Sequence, residues 1–211
     1  MKLKGIKKLT NERFLNLYDL IYENESGKEI HWTVASRFSE DQLICNSKEL
    51  NASAVCIIPK VMKDGEPAIV IIKEFRLPIN DYVYSFPAGL IEKGEDCVTS
   101  TIRELNEEIG ATKIGNVKIV GTSLNSEGLT DESTTTVEAE ILEFGEQNLQ
   151  DDEDIKYEIV KVKDLNEYLK GKKASVRLQL IANSLIKQYK LVKENEELKK
   201  ELELLKKKNK R

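Results

Sequence analysis

Residues 89–111 read GLIEKGEDCVTSTIRELNEEIGA, and this stretch decides the reading of the whole chain. From about residue 96 to 109 it has the composition of a helix, with Gly110 placed as the residue that ends it in a left-handed conformation. Val98, Ile102, Leu105 and Ile109 recur at i, i+4, i+7 and i+11, one narrow stripe that predicts the core face. Glu104, Glu107 and Glu108 are predicted to point elsewhere, within roughly a quarter-turn of one another. Like charges at these spacings destabilise a helix by roughly 0.2–0.5 kcal/mol per pair. Two readings compete: a solvated acidic face, or a cluster of oxygen ligands for a hard cation such as Mg²⁺. A solvated face would normally intersperse lysines, and this one offers only Arg103 beside the cluster.

Around this stretch the chain alternates strands and turns. FLNLYDLIYEN and IHWTVASRF alternate apolar and polar residues about the turn Glu25-Ser26-Gly27-Lys28. SAVCII (53–58) and AIVIIKEF (68–75) flank the turn Lys63-Asp64-Gly65-Glu66. Short strands are predicted at 82–86, 116–124, 134–143 and 155–162, a short helix near 164–169, and one long helix from about 175 to the end. Strands, one central helix, strands and then helices predict an α+β layered domain. The division read from this order is a small antiparallel β unit at 1–50, a central domain at 51–174 and a C-terminal helix at 175–211.

Composition excludes several classes. The formal net charge is −4, but residues 187–211 carry ten Lys/Arg against five Glu, leaving −9 on residues 1–186. An acidic body of this kind argues against a nucleic-acid surface spread over the protein. It would need metal ions or a few local arginines to bind an anion. Three cysteines at irregular spacing, Cys45, Cys56 and Cys97, fit reduced thiols in a cytoplasmic protein and provide no zinc site. No run approaches the roughly 20 apolar residues of a membrane span.

The stretch 89–111 resembles the Nudix box: Gly, five residues, Glu, seven residues, then Arg-Glu-apolar-x-Glu-Glu-x-Gly. Gly89, Glu95, Arg103, Glu104, Leu105, Glu107, Glu108 and Gly110 all fall on the pattern, with Ala111 as a small departure at its last position. The resemblance implies the α/β/α sandwich of that family and hydrolysis of a nucleoside diphosphate derivative with Mg²⁺, for which Mn²⁺ can substitute. It implies Glu104 and Glu108 as the main metal ligands, assisted by Glu107 and the carbonyl of Ala88. Arg103 would pair with Glu95 to hold the loop against the helix.

Outside the box the chain is similar to the ADP-ribose pyrophosphatase branch, over roughly residues 13–186. The similarity rests on the N-terminal hairpins ending in Trp32 and Arg37, on Glu74-Phe75-Arg76-Leu77-Pro78, and on Phe86-Pro87-Ala88-Gly89-Leu90-Ile91. It implies a homodimer built by the N-terminal unit, an aromatic that stacks on the base, and arginines that bind phosphate or ribose. Trp32 reads either as a sheet-face core aromatic or as that stacking platform. Arg37 and Arg76 each end an apolar run, where a guanidinium can fork onto phosphate. His31 reads as structural. In the acidic loop Gln150-Asp151-Asp152-Glu153-Asp154, Glu153 corresponds best to a general base acting with Glu107 and Arg103, against the reading of a solvated turn.

One position departs from the branch: Glu127 stands where its members carry a proline. UDP-sugar or GDP-mannose diphosphatase is therefore the alternative to ADP-ribose, and a ligand-sensing Nudix-fold regulator the alternative to an enzyme. From Ile181 the chain also carries a heptad, with Ile181, Gln188, Asn195 and Leu202 at a and Ser184, Leu191, Leu198 and Leu205 at d. A short coiled coil and a lone solvated helix are the two readings of this tail.

Overall fold

The structure is a computed structural model that describes residues 1–151 and 153–208. Its strands are β1 (Lys2–Lys8), β2 (Asn16–Glu23), β3 (Glu29–Ser36), β4 (Ala54–Lys63), β5 (Glu66–Arg76), β6 (Asp81–Ser85), β7 (Ala88–Leu90), β8 (Ala111–Leu124), β9 (Ser133–Phe144) and β10 (Ile155–Lys161). The helices are α1 (Ile44–Ser47), α2 (Cys97–Ile109), α3 (Leu165–Leu169) and α4 (Val176–Lys208). One sheet has the order β1-β2-β3; the other runs β10-β5-β4-β9-β8, with β6 on β5 and β7 on β4. This is the α+β class with a small N-terminal antiparallel sheet and a long C-terminal helix. Among the described residues, no helix is long and apolar enough to cross a membrane.

The chain divides into two compact units. The first holds residues 1–56, 88–101 and 119–137; the second holds 57–87, 102–118 and 138–211.

In the first unit, β2 and β3 pair antiparallel with Leu20 opposite Trp32. Their turn is held by Asn24, whose Oδ1 accepts from the backbone N–H groups of Ser26 (3.0 Å) and Lys28 (2.9 Å), and Gly27 supplies the positive φ of 79°. Alternation puts Tyr18, Leu20 and Val34 on one face, where they form a small core with Leu43, flanked by Leu3 and Ile6 of β1. Burying each such side chain stabilises by about 1.5–3 kcal/mol. The strand β1 lies in the lysine-rich segment ahead of the first predicted strand. Its two apolar side chains are too sparse for a period to show, and it becomes a strand by pairing with β2.

In the second unit β5 is central. Ala68, Ile69, Val70, Ile71 and Ile72 are all buried, a continuous apolar run of the kind that a strand covered on both faces requires. It pairs with β4 across a two-residue turn in which Asp64 (φ 52°) and Gly65 (φ 73°) both take positive φ, the geometry that matches strand twist. Its other edge pairs with β10, and β6 continues the β4 edge over Ile72–Arg76. Helix α4 packs through Leu178, Ala182 and Ile186, and from residue 190 to 207 every residue is exposed.

Candidate active site

The box helix α2 begins at a capped end. Asp96 Oδ1 accepts from the backbone N–H of Thr99 at 2.7 Å, and that bond holds its carboxyl below the ordinary range. Glu95 Oε2 accepts from Ser100 Oγ at 2.6 Å and from the backbone N–H of Glu92 at 3.2 Å. At the other end, Gly110 takes φ 66° and ends the helix. The carbonyls of the last turn are satisfied by the segment after β9: Glu107 O accepts from the N–H of Asn148 (3.0 Å) and Glu108 O from Gln147 Nε2 (2.5 Å).

The structure corrects the expected core stripe. Leu105 and Ile109 are fully buried, but Val98 is 37% exposed and Ile102 45%. The buried face runs instead through Thr101, Glu104, Leu105, Glu108 and Ile109, at i, i+3, i+4, i+7 and i+8. It is rotated by about 60° from the apolar stripe, at the 3.6 residues per turn of an α-helix. Glu104 (6% exposed) and Glu108 (3%) therefore lie inside the buried face, not beside it. Two carboxylates buried in one helix face cost folding energy unless a positive charge answers them.

Arg103 answers in part. It is adjacent in sequence to Glu104, yet its guanidinium donates to Glu104 Oε1 at 2.7 Å and to Glu107 Oε2 at 3.2 Å. Burial still outweighs this contact and raises the Glu104 carboxyl above its ordinary range; the charges of Glu107 and Glu153 push it the same way. Among the described residues, no three His, Cys, Asp or Glu side chains are gathered closely enough to enclose a metal ion by themselves.

Glu153 is close enough for its charge to act on Glu104, and its Oε2 accepts from the backbone N–H of Gln150 at 2.9 Å. Its neighbour Asp154 fixes the loop: the carbonyl accepts from the N–H of Phe75 (3.0 Å) and the carboxylate accepts from the phenol of Tyr82. Tyr82 carries no motif, so nothing in the sequence announces this anchor. Asp152 lies outside the described residues.

The first unit places the expected base-binding residues. Trp32 is 54% exposed, so the core reading fails for it, and its indole N–H donates to the carbonyl of Gly128 at 3.2 Å. Arg37 lies 3.6 Å from Glu132 and donates to the carbonyl of Phe14 at 3.4 Å. The N–H of Ala35 donates to Leu129 O at 2.9 Å. Trp32 and Arg37 are thus joined by one loop, residues 125–132, which includes Glu127. Ala88 and Gly89 form β7, paired with Cys56 and Val55. His31 binds Asp19 (2.7 Å) and Glu29 (3.0 Å), a surface role. In the second unit Arg76 is exposed and holds Glu74 at 2.6 Å.

The profile of the NUDIX domain matches residues 50–183. The chain belongs to the Nudix family and is a Nudix hydrolase of the ADP-ribose pyrophosphatase-like branch. An uncharacterized Nudix hydrolase of Schizosaccharomyces pombe is 31% identical over 198 residues, covering 87% of this chain and 92% of its own length. The ADP-ribose pyrophosphatase of Saccharomyces cerevisiae is 31% identical over 145 residues, 67% of this chain and 58% of the yeast protein. A crystal structure described as ADP compounds hydrolase shares the fold, with a TM-score of 0.67 over 90% of this chain and 94% of its own, at 15% identity.

Proposed function

We propose that this chain hydrolyses the diphosphate of ADP-ribose to AMP and ribose 5-phosphate in a Mg²⁺-dependent reaction. The observation that carries the reading is the burial of Glu104 and Glu108 in the inward face of α2, where an acidic surface patch would have no reason to be. These two carboxylates would hold the metal, with Glu107 assisting. When bound, Mg²⁺ would neutralise the diphosphate and polarise the phosphorus centre.

The residues of the chain supply the rest. Glu153 accepts the proton of the attacking water as its oxygen bonds to phosphorus, and the bridging P–O bond breaks to release the second phosphate. Arg103 fixes the rotamers of Glu104 and Glu107 through its two hydrogen bonds. Trp32 presents an apolar face for the base, and Arg37 and Arg76 bind ribose or phosphate oxygens once released from Glu132 and Glu74. Residues 1–50 serve as the dimerisation element, 51–174 as the catalytic domain and 175–211 as an appended helix. Three cysteines outside any disulfide fit a cytoplasmic setting.

One observation favours a second substrate. Glu127 precedes Gly128, whose carbonyl accepts from the Trp32 indole, so the position that departs from the branch lies in the loop at the proposed base platform. UDP-sugars or GDP-mannose are the substrates it would favour. The test is kcat/KM for ADP-ribose, UDP-glucose and GDP-mannose under identical Mg²⁺. ADP-ribose is expected to lead; a preference of roughly tenfold or more for either rival, equal to about 1.4 kcal/mol, overturns it. Absence of turnover on all three, with ADP-ribose bound, would identify a ligand-sensing regulator.

A further inference from the structure

Helix α4 is 33 residues long, about 50 Å at 1.5 Å per residue, and only its first half has a partner. Leu178, Ala182 and Ile186 are buried, and Tyr189 Oη donates to Glu66 at 3.4 Å. Beyond it Leu191, Leu198, Leu202 and Leu205 stand 52–61% exposed. Most helical stability in proteins comes from packing an apolar face rather than from propensity, and the local i,i+3 pair Lys193–Glu196 at 3.0 Å adds little.

The exposed leucines are ordered. In the heptad set by Ile181 at a, Leu191, Leu198 and Leu205 fall at d, and Asn195 and Leu202 at a. Leu178, Ala182 and Ile186 fall at e, b and f, about a third of a turn away from the a/d seam at 3.6 residues per turn. Packing on the body therefore leaves the seam unobstructed.

Flanking charges select the occupant. Glu194 and Glu201 occupy g; Lys199 and Lys206 occupy the e positions of the following heptads. In a parallel pair g of one strand meets the next e of the other, so Glu194 meets the second copy's Lys199 and Glu201 meets its Lys206. In an antiparallel pair glutamates would face glutamates and lysines would face lysines. Asn195 meets its own counterpart only when the two strands run parallel and in register.

We propose that residues 184–205 of α4 dock on the same segment of a second copy of this chain, as a parallel, in-register, two-stranded coiled coil. This does not depend on the diphosphatase reading, and catalytic activity is not its readout.

The test is disulfide formation in the full chain under mild oxidation, comparing Leu205→Cys at the seam with Leu204→Cys, which is equally exposed but points away from it. Peptide mapping identifies the linked positions. Coupling at position 205 is expected to be at least about tenfold faster than at 204, since a disulfide requires Cβ atoms within a few ångströms. Equal rates overturn the proposal. In a mixture of Leu191→Cys and Leu202→Cys chains, a preferred 191–202 link would show antiparallel pairing and also overturn it. Adding Glu194→Lys and Glu201→Lys to Leu205→Cys should slow coupling, and further adding Lys199→Glu and Lys206→Glu should restore it. Failure of that restoration leaves the charge argument, and with it the proposal, without support.

Discussion

Arg103 and Glu104, neighbours in the chain, are joined at 2.7 Å although successive residues on a helix face different directions. The guanidinium folds back because a buried carboxylate beside it has burial to offset. Removing that charge should cost catalysis and spare the fold. Glu104→Gln or Glu108→Gln should lower kcat about a thousandfold, the equivalent of several kcal/mol of charge stabilisation by a metal. The sign of the stability change follows from the raised Glu104 carboxyl. A carboxylate whose folded-state pKa is raised destabilises the fold above that value, so at neutral pH metal-free Glu104→Gln should melt at the same temperature as the parent or higher. Near-normal turnover in both variants would sink the assignment.

Glu153→Gln should reduce kcat by about 10²–10⁴, the usual contribution of a general base, with KM changed far less. Steady-state kinetics on ADP-ribose read this directly. If Asp152 or Glu132 substitutions prove more damaging, the base has been assigned to the wrong carboxylate.

Because Trp32 is half exposed, Trp32→Ala should leave the urea midpoint almost unmoved, as surface substitutions do. Stacking worth roughly 1–3 kcal/mol acts on substrate and transition state alike, so KM should rise roughly ten- to a hundredfold at constant kcat. A loss confined to kcat would contradict the stacking role.

Gly110 is required by space as well as by φ. A Cβ there would lie 2.6 Å from Gly145 O and 2.9 Å from the carbonyl of Glu146, and the backbone is left-handed at 66°. Gly110→Ala should destabilise by about 3 kcal/mol, combining conformational strain with overpacking. Gly65→Ala, at φ 73° with nothing within 4 Å, should cost only about 1 kcal/mol. Equal shifts of the urea midpoint would refute the steric account.

His31 is the only histidine, so one imidazole resonance reports its titration. Its hydrogen bonds to Asp19 and then Glu29 raise its pKa. With the folded value raised, its stabilising contribution is complete below the unfolded value of about 6.5 and disappears as pH rises through the folded value. The stability difference between the parent and His31→Gln should therefore be largest in mild acid and vanish at alkaline pH. A resonance titrating below about 6.5 would show the two carboxylates to be disengaged.

Local chemistry made much of this protein legible. The turn at 63–66 demanded positive φ, Gly110 marked the end of α2, and the spacing of Gly89, Glu95, Arg103, Glu104, Glu107 and Glu108 identified the family. Periodicity also disclosed α2 and α4. It did not disclose phase. The apolar positions of α2 predicted burial for Val98 and Ile102, whereas the fold turned Glu104 and Glu108 inward. Hydrophobic pattern locates a buried face only where burial is apolar, and a helix that buries charge inverts the inference. Tertiary structure alone tied Asp154 to Tyr82, bringing Glu153 toward Glu104, and laid the loop 125–132 along Trp32 and Arg37. Those contacts join residues some 70 to 100 positions apart, and no local spacing can encode which distant group satisfies a given donor.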